Sequence, residues 1–193
     1  MSTTIFSTRA RPWVAAGVAS LALALTSGCQ SADAKAPGPI PTVASVDLPR
    51  FMGDWYVIAN IPTFIERGAH NAVESYRLDA DGNVATTFTF NKGAFDGPLK
   101  TYRPTGFIYN RETNAEWRMQ FLWPFKAAFL IAYLDEAYET TIIAVPSRKY
   151  VWIMARTPSI PEVKYRELVD YLKQIGYDVS KLQRVPQQLR PTR

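Results

Sequence analysis

The chain has 193 residues, of which 47% are hydrophobic and 20% are charged, so it can bury one sizeable core. Its formal net charge of +5 at pH 7 is mildly basic and does not indicate nucleic acid as a partner. A single cysteine and a single histidine exclude an intramolecular disulfide and a metal site built from several such residues.

The first 28 residues have the pattern of an export signal peptide. Arg9 and Arg11 form a positive flank, and an uncharged run rich in Ala, Leu and Val follows from Trp13 to Leu25. This run is too short for a bilayer span, which takes about 20 apolar residues, and is typical of a signal peptide. Its removal leaves 20 basic and 17 acidic side chains, a formal charge of +3.

Cys29 follows this run in the segment Leu25-Thr26-Ser27-Gly28-Cys29, which resembles the lipobox of bacterial lipoproteins. The resemblance implies that Cys29 is acylated and anchors the mature protein to a membrane, although Thr26 stands where the lipobox usually has Leu. Two acyl chains anchor a protein stably. Gln30 stands where Asp would retain a lipoprotein in the inner membrane, so the resemblance implies the outer membrane with the domain in the periplasm. The alternative is an ordinary secretory signal with an incidental cysteine.

Residues 29–46 contain Pro37, Gly38, Pro39 and Pro41 among small residues and show no apolar periodicity. This composition predicts a flexible tether. The remaining residues, 47–193, are expected to form a single domain.

Runs rich in β-branched and aromatic residues, separated by turn residues, predict an all-β domain. An antiparallel sandwich or barrel fits this pattern, and a closed barrel of eight strands leaves room for one small ligand. The predicted strands are 53–61, 71–79, 83–91, 99–110, 115–122, 127–134, 138–145 and 149–156.

One α-helix is predicted after the last strand. Ser159 and Glu162 have the spacing of a capping box, with Ser159 as N-cap, and Gly176 suits the position just after the helix. The strand 149–156 is apolar on both faces, so both faces are expected to be covered. We therefore place the helix outside the sheet, over the seam between the first and last strands. Its apolar face is formed by Tyr165, Leu168, Val169, Leu172 and Ile175.

Four segments together resemble the lipocalin family, in particular its bacterial outer-membrane, apolipoprotein D-like members. They are Gly53-Asp54-Trp55-Tyr56, Leu134-Asp135-Glu136-Ala137-Tyr138, Tyr150 to Pro158 with Arg156, and Gly176 to Lys181. Glu136 replaces a Tyr of the family motif. The resemblance covers roughly residues 47–186. It implies an eight-stranded antiparallel up-and-down barrel with one C-terminal α-helix packed outside.

In an up-and-down barrel, alternate connections lie at the same end. Trp55, Arg156 and the connection 135–138 then share one end, where a guanidinium over the indole would add a cation–π contact. These residues are expected to close the barrel and to be structural. The structural set comprises Gly53, Trp55, Asp135, Tyr138 and Arg156.

The opposite end carries four connections rich in aromatic and basic residues. Their aromatic residues are Phe64, Phe95, Trp123 and Phe125, and their basic residues are Arg67, Lys92, Lys126 and Arg148. This mixture predicts a mouth for an amphiphile with an anionic or zwitterionic head. The alternative is that the loop aromatics only cover the rim.

Residue alternation predicts which side chains face the barrel interior. In the strand 83–91, neither Thr87 and Thr89 nor Phe88 and Phe90 can be preferred. In the strand 127–134, alternation leaves both faces open, and the family resemblance selects the face with Phe129. The resemblance also places Tyr76 and Trp152 in the lining. The predicted ligand-binding residues are Val57, Ala59, Tyr76, Trp117, Met119, Phe121, Phe129, Ile131, Trp152 and Met154. The alternative is that these side chains fill the interior completely.

The leading hypothesis is a protein that binds, stores or transports fatty acids, lysophospholipids or similar amphiphiles at the outer membrane. It would need no cofactor and would serve membrane maintenance. One alternative is a scaffold lipoprotein with a filled barrel. An enzyme is the weaker alternative, because the chain has no HExxH, GxSxG or phosphate-loop motif and His70 is its only histidine. A homodimer remains open.

Overall fold

The computed structural model describes residues 38–188, in which ten β-strands and two α-helices form. The predicted signal peptide and the predicted lipidation site Cys29 lie outside these residues. The helices are α1 (Leu48–Phe51) and α2 (Glu162–Gln174), and a 3₁₀ turn spans Val179–Lys181. The strands are β1 (Gly53–Ile61), β2 (Ala69–Leu78), β3 (Val84–Lys92), β4 (Leu99–Tyr102), β5 (Thr105–Ile108), β6 (Glu116–Leu122), β7 (Phe125–Leu134), β8 (Thr140–Ala144), β9 (Val151–Ala155) and β10 (Gln183–Arg184).

The strands pair antiparallel with their neighbours, and β9 pairs back onto β1, so the sheet closes. The predicted strand 99–110 is divided into β4 and β5, and both halves pair with β3. Pro104 lies at the division, and proline has no N–H to donate to a strand ladder. If β4 and β5 are counted as one interrupted strand, the barrel has eight strands, and the predicted eight-stranded up-and-down barrel is confirmed.

Two apolar clusters lie on opposite faces of the sheet. The interior cluster includes Trp55, Val57 and Trp117. The outer cluster joins Ile58 and Ile153 of the sheet to α2. Within α2, Leu168 and Leu172 are buried, so the helix packs outside the barrel against the first and last strands, as predicted. Among residues 38–188, no helix is both long and apolar enough to span a membrane.

The predicted capping box at the start of α2 is wrong. The residue before the helix is Pro161, and no side chain caps this end. Proline disfavours helical backbone in the residue before it, so Ile160 cannot form the first turn that an N-cap at Ser159 would require. Glu162 instead accepts a hydrogen bond from Arg184 Nη2 at 2.5 Å.

Residues 38–46 pack along the barrel, which corrects the predicted tether over this part. Ile40 is buried in the outer cluster and Val46 in the interior cluster. The backbone N–H of Val43 donates to the carbonyl of Ile131 at 3.0 Å, and that of Val46 donates to the carbonyl of Thr113 at 2.8 Å. The small residues of this segment therefore allow close packing rather than mobility.

The C-terminal segment inserts between β1 and β2. Direct pairing of these strands covers only Gly53–Tyr56 with 73–76, and β10 pairs with Ala59 and Asn60 further along. The side-chain amide of Gln187 then donates to the carbonyls of Val57 and Ala72, both at 2.9 Å. The C-terminal segment thus satisfies backbone groups that the separated strands leave open.

Candidate ligand-binding barrel

Arg156 closes one end of the barrel from beneath Trp55. Its guanidinium carbon lies 3.8 Å from the centroid of the Trp55 ring. The same side chain donates to the carbonyls of Arg50, Phe51, Asp54 and Tyr138 at 2.7, 3.1, 2.9 and 3.2 Å. Arg156 therefore ties α1, β1 and the β7–β8 turn together, and we call this the closed end.

The turn that carries Asp135 and Tyr138 is held by its own side chains. The Asp135 carboxylate accepts from the backbone N–H groups of Glu139 and Thr140, both at 2.8 Å. Tyr138 has a φ of 61°, and its hydroxyl accepts from the backbone N–H of Asp47 at 2.9 Å. Gly53 has a φ of 94°, and a Cβ there would lie 3.4 Å from Arg156 Nη1. The structure therefore brings the five predicted structural residues together.

A layer of aromatic rings lies above the closed end. The Phe51 ring of α1 is centred 5.0 Å from Trp55 and 5.8 Å from Tyr76. Trp117 stacks on Phe129 at 5.1 Å and meets Tyr76 edge-on at 5.7 Å. Phe51 comes from a short helix that the sequence did not predict. This layer fills the lower part of the interior.

Most predicted lining residues do face the interior. Val57, Tyr76, Trp117, Met119, Phe129, Ile131 and Met154 belong to the interior cluster, and Trp152 packs against it. Phe121 lies at the far end of β6 and is 54% exposed, so it forms part of the rim.

The inward placement of Ala59 is wrong. The pairing of β1 with β9 shifts between Val57 and Ala59, and Ala59 belongs to the outer cluster beneath α2. A β-bulge adds one residue to a strand and moves the following side chain to the other face. Simple alternation from Trp55 cannot detect this change.

Two faces that alternation left open are now assigned. Phe88 and Phe90 of β3 lie in the interior cluster. In β7, Phe129 and Ile131 also face inward, but a register shift before Tyr133 turns that residue to the outer cluster. Leu134 packs against the interior cluster instead.

Glu74 is an interior residue that the sequence analysis missed. It shares the inward face of β2 with Ala72 and Tyr76 and is only 7% exposed. The Tyr76 hydroxyl donates to Glu74 Oε2. Burial raises the pKa of Glu74 to about 7, against the lowering effect of this hydrogen bond and with a further raising effect from Glu66. Placing Tyr76 inward already implied an inward Glu74, because side chains two apart share a strand face.

Glu66, in the connection between β1 and β2, is buried in a hydrogen-bond network. Its carboxylate accepts from Thr63 Oγ1 at 2.6 Å, Asn60 Nδ2 at 3.0 Å and Trp152 Nε1 at 2.7 Å. The network fixes the inward Trp152 indole and the β1–β2 loop. Glu66 therefore serves to position other residues of the barrel.

The end opposite Arg156, which we call the open end, carries most of the exposed apolar side chains. Of the nine large hydrophobic residues that are exposed among residues 38–188, seven lie at this end. We call these seven the rim patch: Phe64, Phe95, Leu99, Phe121, Leu122, Trp123 and Phe125. The predicted exposed aromatics are thus present.

Three of the four predicted rim cations contact other parts of the domain. Arg148 donates to the carbonyls of Ile175 at 2.7 Å and Gly38 at 2.6 Å. Lys92 donates to the carbonyl of Arg67 at 2.6 Å. These two side chains stabilise loops at the open end. Lys126 is exposed and its Nζ lies 3.5 Å from the centroid of the Phe107 ring, and Arg67 is exposed.

A closed antiparallel sheet, an aromatic interior and a rim of exposed apolar side chains define a calyx-type β-barrel, and the family comparison agrees. The chain belongs to the lipocalin family, because the model of the lipocalin-like domain matches residues 46–187.

Two relatives and one solved structure illustrate this membership. The outer membrane lipoprotein Blc of Escherichia coli (strain K12) is 30% identical over 175 residues, 90% of this chain and 94% of the relative. Apolipoprotein D of Bos taurus is 31% identical over 156 residues, 77% of this chain and 80% of the relative. Insecticyanin from the tobacco hornworm Manduca sexta is similar in structure, with a TM-score of 0.63 and 16% identity over 79% of this chain and 87% of its own.

Proposed function

We propose that the barrel binds single amphiphiles, such as fatty acids or lysophospholipids, with the acyl chain inserted through the open end. The observation that carries this proposal is the asymmetry between the two ends: one is sealed by Arg156 and Trp55, and the other exposes apolar side chains around an apolar interior. Apolar side chains bind hydrocarbon by removing it from water, at about 25 cal/mol per Å² before association costs.

The ligand chain would occupy the upper part of the barrel, above the aromatic layer. Met119, Phe121 and Trp152 lie on this side of the interior, where Ala72 and Ala69 are the inward residues of β2. Val57, Tyr76, Trp117, Phe129, Ile131 and Met154 would form the base of this site.

The protein would act at the outer membrane as an acylated lipoprotein. Two observations support this location: the lipobox-like segment ending at Cys29, and the relatives that are named outer membrane lipoprotein Blc. Binding and transfer of lipid during membrane maintenance, rather than catalysis, is the role that suits an apolar barrel in this place.

Displacement of a fluorescent fatty acid tests the proposal. We expect saturable binding at micromolar concentration and competition by lysophospholipid. Phe121→Glu should weaken binding several-fold, because it places a charge where the acyl chain enters. Tyr109→Glu is the matched control, because Tyr109 is similarly exposed, at 65%, but lies at the closed end. Absence of saturable binding would favour the scaffold alternative.

A further inference from the structure

The rim patch gathers highly exposed apolar residues from separate connections at one end of the barrel. Its most exposed members are Trp123 at 81%, Phe64 at 78%, Phe125 at 73% and Leu122 at 70%. They come from the β1–β2 loop and the β6–β7 turn, two separate connections around the mouth. Exposed large apolar residues gathered at one end of a domain are typical of an interaction site, whereas single exposed ones are not.

The charges around the patch favour an anionic partner. Arg67, Lys100, Lys126 and Lys149 are exposed on the barrel connections and strand ends of the open end, and Asp96 is the exposed acid on these connections. Asp178 is also exposed, on the segment after α2 that contacts the β8–β9 connection, but it is paired with Lys181. Glu66, another carboxylate at this end, is buried and accepts hydrogen bonds from neighbouring side chains. Aromatic residues next to lysine and arginine suit a membrane interface, where rings reach the acyl boundary and cations meet phosphate groups.

The path of the chain brings the N-terminal segment to the same end. Gly38 is held at the open end by Arg148 of the β8–β9 connection, at 2.6 Å, and the chain then runs along the barrel to Val46 near the closed end. Residues 29–37 can span at most about 30 Å. If Cys29 is acylated as proposed above, the open end is therefore the end nearest the membrane surface.

We propose that the open rim docks directly on a lipid bilayer, with Phe64, Leu122, Trp123 and Phe125 inserted among the lipid headgroups and the neighbouring cations on their phosphates. In this orientation the barrel mouth opens onto the bilayer. An amphiphile could then pass between the membrane and the barrel without crossing water. The docking itself does not require that the barrel holds a ligand.

Vesicle binding by the unacylated protein tests the inference. The mature chain, residues 29–193, carrying Cys29→Ser is mixed with vesicles of phosphatidylethanolamine and phosphatidylglycerol, and the bound fraction is measured by sedimentation. We expect binding that weakens about tenfold or more in the double variant Phe64→Glu/Trp123→Glu, since both side chains would leave the membrane. Val163→Glu is the matched control, because Val163 is 59% exposed on α2, away from the rim.

The position of Trp123 supplies a second readout. Lipids brominated along their acyl chains should quench the fluorescence of the parent protein and quench that of Trp123→Phe less, because Trp123 would lie at the acyl boundary. Docking is overturned if the parent protein does not bind the vesicles, or if Val163→Glu lowers binding as much as the rim variants do. It is also overturned if the rim variants only dissociate a dimer, since the patch would then bind a second copy.

Ligand binding in solution separates this inference from the proposed function. The double variant should keep the thermal midpoint of the parent, and the parent protein should bind a fluorescent fatty acid in the absence of vesicles. A protein that binds vesicles but no fatty acid would support docking and contradict the proposed function.

Discussion

Arg156 shows how one side chain organises an entire end of the barrel. Its donors reach carbonyls of α1, β1 and the β7–β8 turn, and its flat face covers Trp55. Partial burial lowers the pKa of its guanidinium, but arginine keeps its charge in proteins. A lysine has a compact point charge and cannot reproduce this fork of hydrogen bonds. The closed end therefore depends on the shape of arginine as well as on its charge.

Glu74 gives the molecule a predictable dependence of stability on pH. The unfolded chain releases this proton near pH 4.5, whereas the native protein retains it up to about pH 7. Between these values the native state binds more protons than the unfolded state, so the free energy of unfolding attributable to Glu74 falls as pH rises. The fall amounts to about 3 kcal/mol across the window.

Glu74→Gln should remove this contribution, because the amide is neutral and its oxygen can still accept from Tyr76. Urea unfolding of both proteins across the window measures the effect. The difference in unfolding free energy should grow in favour of the variant from acid to neutral pH and then level off. Parallel curves for the two proteins would mean that Glu74 titrates normally in the native state.

Among the elements, the C-terminal segment has the most specific role. It replaces direct β1–β2 pairing near the open end, and Gln187 bridges the carbonyls of Val57 and Ala72. Gln187→Ala should destabilise the protein by about 1–3 kcal/mol, because both carbonyls lose a partner. Gln188→Ala is the matched control, since the neighbouring side chain is exposed and the contact of Gln188 with Asn71 is made by its backbone N–H.

Chemical denaturation measures both changes. A shift of the midpoint for Gln187→Ala alone would agree with the proposed bridge. Equal midpoints for the two variants would contradict it.

The strands were predictable because apolar and polar residues alternate along them. The bulges and the division of one strand were not predictable from this alternation. β1 has the predicted limits of 53–61, and β2 begins two residues before its predicted start at 71. Alternation assumes an unbroken ladder, so it misplaced Ala59 beyond the β1 bulge and could not place Tyr133 beyond the β7 bulge. Pro104 was visible in the sequence, but its effect on the predicted strand 99–110 depends on the pairing of β3 with two partners.

The candidate site was predictable where a side chain has one dominant contact. The proximity of Trp55 and Arg156 follows from the closure of the sheet, because the first and last strands become neighbours. Phe51 and Val185 could not be placed in the interior from the sequence, because α1 is only four residues long and the C-terminal segment binds through its backbone. The capping pattern at Ser159 was misleading, since Pro161 controls where α2 begins.

At the scale of the whole molecule, the two ends of the barrel have opposite properties. The closed end is buried and hydrogen-bonded, whereas the open end is apolar, basic and exposed. The N-terminal segment reaches the domain at the open end. Because of this difference between the ends, the proposed ligand entrance, the proposed anchor and the proposed membrane contact would all face the membrane in one orientation of the barrel.

Native mass spectrometry of the full-length protein, extracted from its own membrane in mild detergent, tests most directly whether the barrel holds an amphiphile. We expect a stoichiometric mass increment matching one lipid or fatty acid, beyond any covalent acyl groups, which is released on denaturation and diminished in Phe121→Glu. Protein that carries no such ligand, and takes up none when incubated with lysophospholipid, would contradict the account.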